Sequence, residues 1–207
     1  PTDALAAATI APAVTVQLQD AAAKPVAVAG TTITLTLTSG TGTLSGTTSQ
    51  VTNASGLATF IDLSVDLVGA KQLTAASAGL TSAVSGAFTI TAGAASQVTY
   101  VQQPTPAAPG VTITPAVTVQ LRDAATNPVA AAGTTITISL TSGTGVLSGT
   151  TSQLTNASGL ATFSDLSIDT AGPKQLTAAS VGLTSAVSNA FSITSAIATQ
   201  VAFVQQP

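Results

Sequence analysis

The chain repeats itself. Pro12-Ala-Val-Thr-Val-Gln-Leu-Gln-Asp20 returns as Pro115-Ala-Val-Thr-Val-Gln-Leu-Arg-Asp123, and Thr52-Asn-Ala-Ser-Gly-Leu-Ala-Thr-Phe60 returns as Thr155-Asn-Ala-Ser-Gly-Leu-Ala-Thr-Phe163. The offset of 103 residues holds without a gap across 1–103 and 104–206, with about three-quarters of paired positions identical. A period of this length is too long for a solenoid repeat and suits one small domain per copy.

Within each copy the pattern is all-β. Val14, Val16 and Leu18 alternate with Thr15, Gln17 and Gln19, the period of a half-buried strand. Over 31–38, Ile33, Leu35 and Leu37 face one way and Thr32, Thr34, Thr36 and Thr38 the other. Further strands are expected at 44–46, 57–63, 71–76, 83–91 and 97–102, with a bend at Asp62 where the inward parity switches. The stretch Ala6-Ala-Ala8 and its counterpart within Pro106-Ala-Ala-Pro-Gly110 both read as extended linkers, because Pro106, Pro109 and Gly110 forbid a helix in the second. Short strands about ten residues apart, separated by Gly, Ser and Asn turns, indicate antiparallel sandwiches with Phe60, Phe88 and Tyr100 as the larger core members.

Composition narrows the function. Only 5% of residues are charged, the net charge is −3, and Cys, His, Met, Trp and Glu are absent. No basic footprint exists for nucleic acid or an anionic membrane surface, and no apolar run reaches the ~18 residues of a membrane span. The usual general bases and thiol nucleophiles are missing, so an enzyme is not expected. An isolated soluble domain carries roughly a quarter to a third of its surface as charge. A Thr- and Ser-rich surface instead suits a protein packed against copies of itself, glycosylated, or displayed outside the cell.

The run Pro-Ala-Val-Thr-Val-Gln-Leu-x-Asp-Ala, then Leu-Ser-Gly-Thr, then Gly-Leu-Ala-Thr-Phe-x-Asp-Leu-Ser, resembles bacterial immunoglobulin-like (Ig-like) tandem repeats of surface proteins, the invasin and intimin type included. The resemblance covers both copies and implies tandem Ig-like antiparallel β-sandwiches in an extracellular array. Where such repeats often carry a Tyr, this chain has Lys71 and Lys174. The paired Cys and Trp of antibody domains are absent as well.

The stretch 95–104 reads as the first strand of the second sandwich, which gives a first unit over 1–94 lacking that strand and a second over 95–197. Residues 198–207 then repeat the first-strand sequence, either as the start of a following repeat or as a strand donated to a neighbouring molecule. On this reading Val201, Phe203 and Val204 are the self-association residues, with Val98 and Tyr100 as their internal counterparts. The expected function is an extracellular structural element forming a filament or surface fibre by end-to-end association. A covalent stalk of a larger adhesin is the alternative, and a carbohydrate- or receptor-binding module a third reading. The partners expected are copies of itself or neighbouring repeats, with host or surface glycans possible.

Other candidates carry an ordinary explanation beside the functional one. Asp62, Asp66, Asp165 and Asp169 are hard oxygen ligands that calcium accepts, but two carboxylates per copy are few, and turn capping accounts for them. No cofactor is otherwise expected. Asn53-Ala-Ser55 and Asn156-Ala-Ser158 match the N-glycosylation triplet and also suit a turn. Lys71 and Lys174 could crosslink to Asn53 or Asp62 and their counterparts, but solvated lysines on a strand are the expectation, since Lys is rarely buried.

Overall fold

A computed structural model describes residues 1–195. It divides into two compact units, Pro1–Ala94 with Asp123–Asn127, and Ala95–Arg122 with the residues from Pro128 onward. Each is an all-β, Ig-like antiparallel sandwich with its own core.

Unit 1 contains β1 (Ala4–Leu5), β2 (Val14–Gln17), β3 (Thr32–Ser39), β4 (Leu44–Ser45), β5 (Ser49–Val51), β6 (Leu57–Phe60), β7 (Ser64–Val65), β8 (Gly69–Ala76), β9 (Ala83–Val84) and β10 (Phe88–Thr91). Its larger sheet runs β1-β10-β8-β3-β5, with β9 also on β8; β2 pairs β6, and β4 pairs β7. The core between these layers holds Val14, Ile33, Leu35, Phe60, Leu73 and Phe88. These are the inward members of the alternating runs, placed there because successive strand side chains point to opposite faces.

Unit 2 contains β11 (Gln97–Gln102), β12 (Val117–Arg122), β13 (Thr135–Ser142), β14 (Leu147–Ser148), β15 (Ser152–Leu154), β16 (Leu160–Phe163), β17 (Ser167–Ile168), β18 (Gly172–Ala179), β19 (Ala186–Val187) and β20 (Phe191–Ile193). β15-β13-β18 form the body of one sheet, with β19 and β20 both on β18, and β11-β12-β16 form the other. Val98 and Tyr100 from β11 join Val119, Leu121, Phe163 and Leu176 in its core.

Three expectations need correction. The segment before β2 is more than a linker: Ala4 and Leu5 pair in parallel with Ile90 and Thr91, and the second copy keeps a bridge from Ala107 to Ile193. The single strand expected over 83–91 is two. Ser85 interrupts it, because its hydroxyl accepts the Leu73 N–H at 3.0 Å and donates to the Gly86 carbonyl at 2.8 Å, replacing ladder bonds locally.

The third correction concerns the lysines. Lys71 and Lys174 are not solvated; each is only 1% exposed. The parity of β8 puts Lys71 on the same inward face as Leu73, opposite Phe88. Its stem lies under the turn at Gly40, where a Cβ would stand 2.8 Å from Lys71 Cδ, and the Gly40 φ of +89° suits glycine alone. Lys71 Nζ donates to the Val68 carbonyl at 3.1 Å, and Lys174 Nζ to the Ala171 carbonyl at 3.4 Å. Both copies thus bury the hydrocarbon stem and give the ammonium a carbonyl partner.

Candidate functional site

The acidic candidates are engaged in turns. Thr47 donates its backbone N–H to Asp62 Oδ1 at 3.0 Å and its hydroxyl to Oδ2 at 2.7 Å. Thr150 repeats both contacts on Asp165. Asp66 accepts the Thr43 N–H at 2.7 Å, and Asp169 the Val146 N–H at 2.8 Å. Among the described residues, no group of three or more His, Cys, Asp or Glu comes together.

Hydrogen bonding favours the charged carboxylate. The Thr47 N–H and hydroxyl hold Asp62 below the usual carboxylate range, the Thr150 hydroxyl and N–H do the same for Asp165, and the Val146 N–H for Asp169. A folded-state pKa below the unfolded value stabilises the fold above the unfolded value, and that contribution disappears as pH falls through the folded one. The thermal midpoint is therefore expected to hold from neutrality to about pH 5 and to drop below about pH 4. The paired substitution Asp62→Asn and Asp165→Asn should flatten that drop in a pH series of melting curves. An unchanged acid limb would show that these turns do not govern it.

Asn53 and Asn156 are exposed turn residues. Asn53 Oδ1 accepts the N–H groups of Ser55 and Leu57 at 2.9 and 3.1 Å, and Asn156 does the same with Ser158 and Leu160. The side chain oxygen shapes the loop that delivers β6 or β16, as Asx turns do. The threonines of β3 at 32, 34, 36 and 38 are exposed, and Thr38 bonds Thr74 across the strands while Thr34 lies 3.4 Å from Ser49.

The first-strand residues behave differently in the two units. In unit 2, β11 runs antiparallel to β12, with Val98 opposite Leu121 and Tyr100 opposite Val119. Val98 N–H also donates to the Thr184 carbonyl at 3.0 Å, and Thr184 N–H to the Ser96 carbonyl at 2.9 Å. Val98 and Tyr100 are consequently core residues of their own unit rather than free surface. Val201, Phe203 and Val204 lie outside the described residues.

In unit 1, β2 pairs with β6 alone among the described residues. Val119 and Leu121 are fully buried, whereas their counterparts Val16 and Leu18 are only partly covered. Ala178 is fully buried and Ala75 is not. A groove of about 490 Å³ runs along this edge, lined by Val16, Leu18, Ile33, Ala75, Leu80 and Ala83. Asp20 is the one charged residue on its wall. The residues flanking the groove were legible from the repeat, but its depth was not.

One more pair escaped the sequence reading. Gln17 Nε2 donates to the carbonyls of Ser55 at 3.0 Å and Gly56 at 3.1 Å, and Gln120 Nε2 donates to Ser158 at 2.9 Å. Their recurrence at the repeat offset was the available signal.

A scan of protein-family models and a search of curated proteins gave no match. Among solved structures, the chain is similar to the D0-D1 domain of intimin, at 23% identity over 93% of this chain and 94% of that one, with a TM-score of 0.37. It is similar to the Yersinia pseudotuberculosis adhesin InvE at 21% identity, covering 93% of this chain but 56% of that one, with a TM-score of 0.36. A glycosyl hydrolase family 2 member from Bacteroides cellulosilyticus matches 80% of this chain with 22% of its own length, at 16% identity and a TM-score of 0.42. The superpositions are loose at these TM-scores, and the functional reading rests on the chain's own residues.

Proposed function

We propose that this chain is a non-enzymatic structural element of the cell surface, a run of Ig-like sandwiches that associates end to end into a filament. The observation that carries the reading is the 103-residue recurrence of strands, core and buried lysine alike. A chain that repeats a whole sandwich, rather than elaborating loops around one of them, invests in length. Its surface supports self-association: Val51, Leu154, Val146 and Val181 stand exposed, and few lysines guard the strand edges.

Negative-stain electron microscopy of the purified 207-residue chain tests the proposal. Filaments, or rods longer than one molecule, are expected at micromolar concentration. Short particles of a single chain at every concentration would overturn end-to-end association and leave the covalent stalk as the reading. Specific retention on a glycan array would favour the binding module instead.

A further inference from the structure

We propose that Asn53 and Asn156 are acceptor sites for N-linked sugar, with a glycosyl phosphate as the class of donor. The inference goes beyond end-to-end association and does not depend on it. The chain has four asparagines, at 53, 127, 156 and 189. Only Asn53 and Asn156 have a hydroxyl residue two positions on, Ser55 and Ser158. Both triplets are exposed throughout, whereas Asn127 is buried and followed by Pro128. The turn itself uses the Ser55 and Ser158 N–H groups, so turn chemistry does not account for a hydroxyl at either position.

Each turn holds its amide in an arrangement suited to transfer. Asn53 Oδ1 accepts the N–H groups of Ser55 at 2.9 Å and Leu57 at 3.1 Å, and Asn156 Oδ1 accepts those of Ser158 and Leu160 at the same distances. Two donors at one atom fix it as the oxygen and leave Nδ2 outside the turn. Among the described residues, no hydrogen bond engages either Nδ2 or the hydroxyls of Ser55 and Ser158. An amide nitrogen is a poor nucleophile because its lone pair is delocalised onto the oxygen. Donors already aimed at Oδ1 stabilise the negative charge that gathers there as Nδ2 gives up a proton. In the transfer, Nδ2 bonds to the anomeric carbon of the sugar, the anomeric C–O bond to phosphate breaks, and the phosphate leaves with that electron pair. The Nδ2 proton passes to a base of the glycosyltransferase.

The turn is braced in both copies. Gln17 Nε2 holds the Ser55 and Gly56 carbonyls, and Gln120 Nε2 holds the Ser158 carbonyl. Gly56 and Gly159 close the turn at φ of +73° and +75°, where an added Cβ would collide with the carbonyl oxygens of Val26 and Val129. Triplet, exposure, twofold acceptance at Oδ1 and brace thus recur together in each unit. A sugar at each position would also hydrate the surface of a chain in which only 5% of residues are charged.

The purified, folded 207-residue chain is offered two probes: UDP-glucose with a soluble glycosyltransferase that reads this triplet, and a polyprenyl-diphosphate oligosaccharide with a membrane-bound one. Peptide mapping by mass spectrometry then locates the sugar. Transfer to Asn53 and Asn156 and none to Asn189, which is exposed but lacks the hydroxyl, is expected, and the arm that succeeds identifies the donor's carrier. Ser55→Ala should abolish transfer to Asn53 alone. Gly56→Ala keeps the triplet but breaks the turn, and should slow transfer to Asn53 about tenfold relative to Asn156 in the same molecule. Gln17→Ala removes the brace without the collision; it should shift the ratio of the two sites in the same direction, and it serves if Gly56→Ala unfolds unit 1. Failure of both arms would overturn the proposal. So would equal transfer to Asn189, or an unchanged ratio of the two sites in both turn variants. The chain recovered from the cells that make it is mapped in the same way: sugar at the two positions is expected, and bare asparagine at both would overturn the assignment.

Discussion

Replacing Phe163 with alanine is expected to destabilise unit 2 by about 3–5 kcal/mol, the usual range for emptying a buried aromatic site. Phe163 is fully buried on β16, opposite Val117. Its neighbours are held by ladder bonds on β12 and β16, so the cavity cannot collapse cheaply. A loss of that size approaches the total stability of many small domains. Because each unit closes its own core, calorimetry should show one of two transitions falling and the other unmoved. Phe60→Ala in unit 1 should move the opposite transition. If either substitution lowered both transitions together, the units would not be energetically separate.

Tyr100→Ala is expected to cost unit 2 about 3 kcal/mol, since it removes the largest side chain by which β11 covers Val119. Tyr100→Phe should do the reverse, stabilising by up to about 1 kcal/mol, because a buried hydroxyl without a partner is a penalty that phenylalanine lacks. Burial also pushes the Tyr100 phenol up, which keeps it neutral through ordinary pH. Chemical denaturation of the two variants separates the contribution of the ring from that of the hydroxyl. A Tyr100→Phe variant less stable than the parent would show that the hydroxyl has a partner after all.

Most strands could be read from side chain alternation alone. Gln97–Gln102 was legible to the residue, because it is bounded by turn-forming residues and alternates without interruption. Ser49–Val51 escaped, being three residues with little apolar signal that pair only at the edge of β3. The turn roles of Asp62 and Asn53 were legible as the ordinary explanation of their positions. That Thr47 supplies the partner of Asp62 was not, since fifteen residues separate them and only the antiparallel pairing of β4 with β7 brings them together.

The lysines mark the boundary most clearly. Alternation along 71–76 puts Lys71 on the same face as Leu73, a cue the expectation of a solvated lysine overlooked, and charge and parity conflict here. Tertiary structure decided between them, because a glycine turn from β3 roofs the stem and a carbonyl receives the ammonium. Periodicity and repetition are local or one-dimensional, so the sequence by itself determined an all-β chain built from two copies of one sandwich and the face each strand residue presents. Burial depth is a property of what lies across the sheet. Only the folded structure could show that Val98 and Tyr100 face Leu121 and Val119, and that Lys71 lies beneath the Gly40 turn.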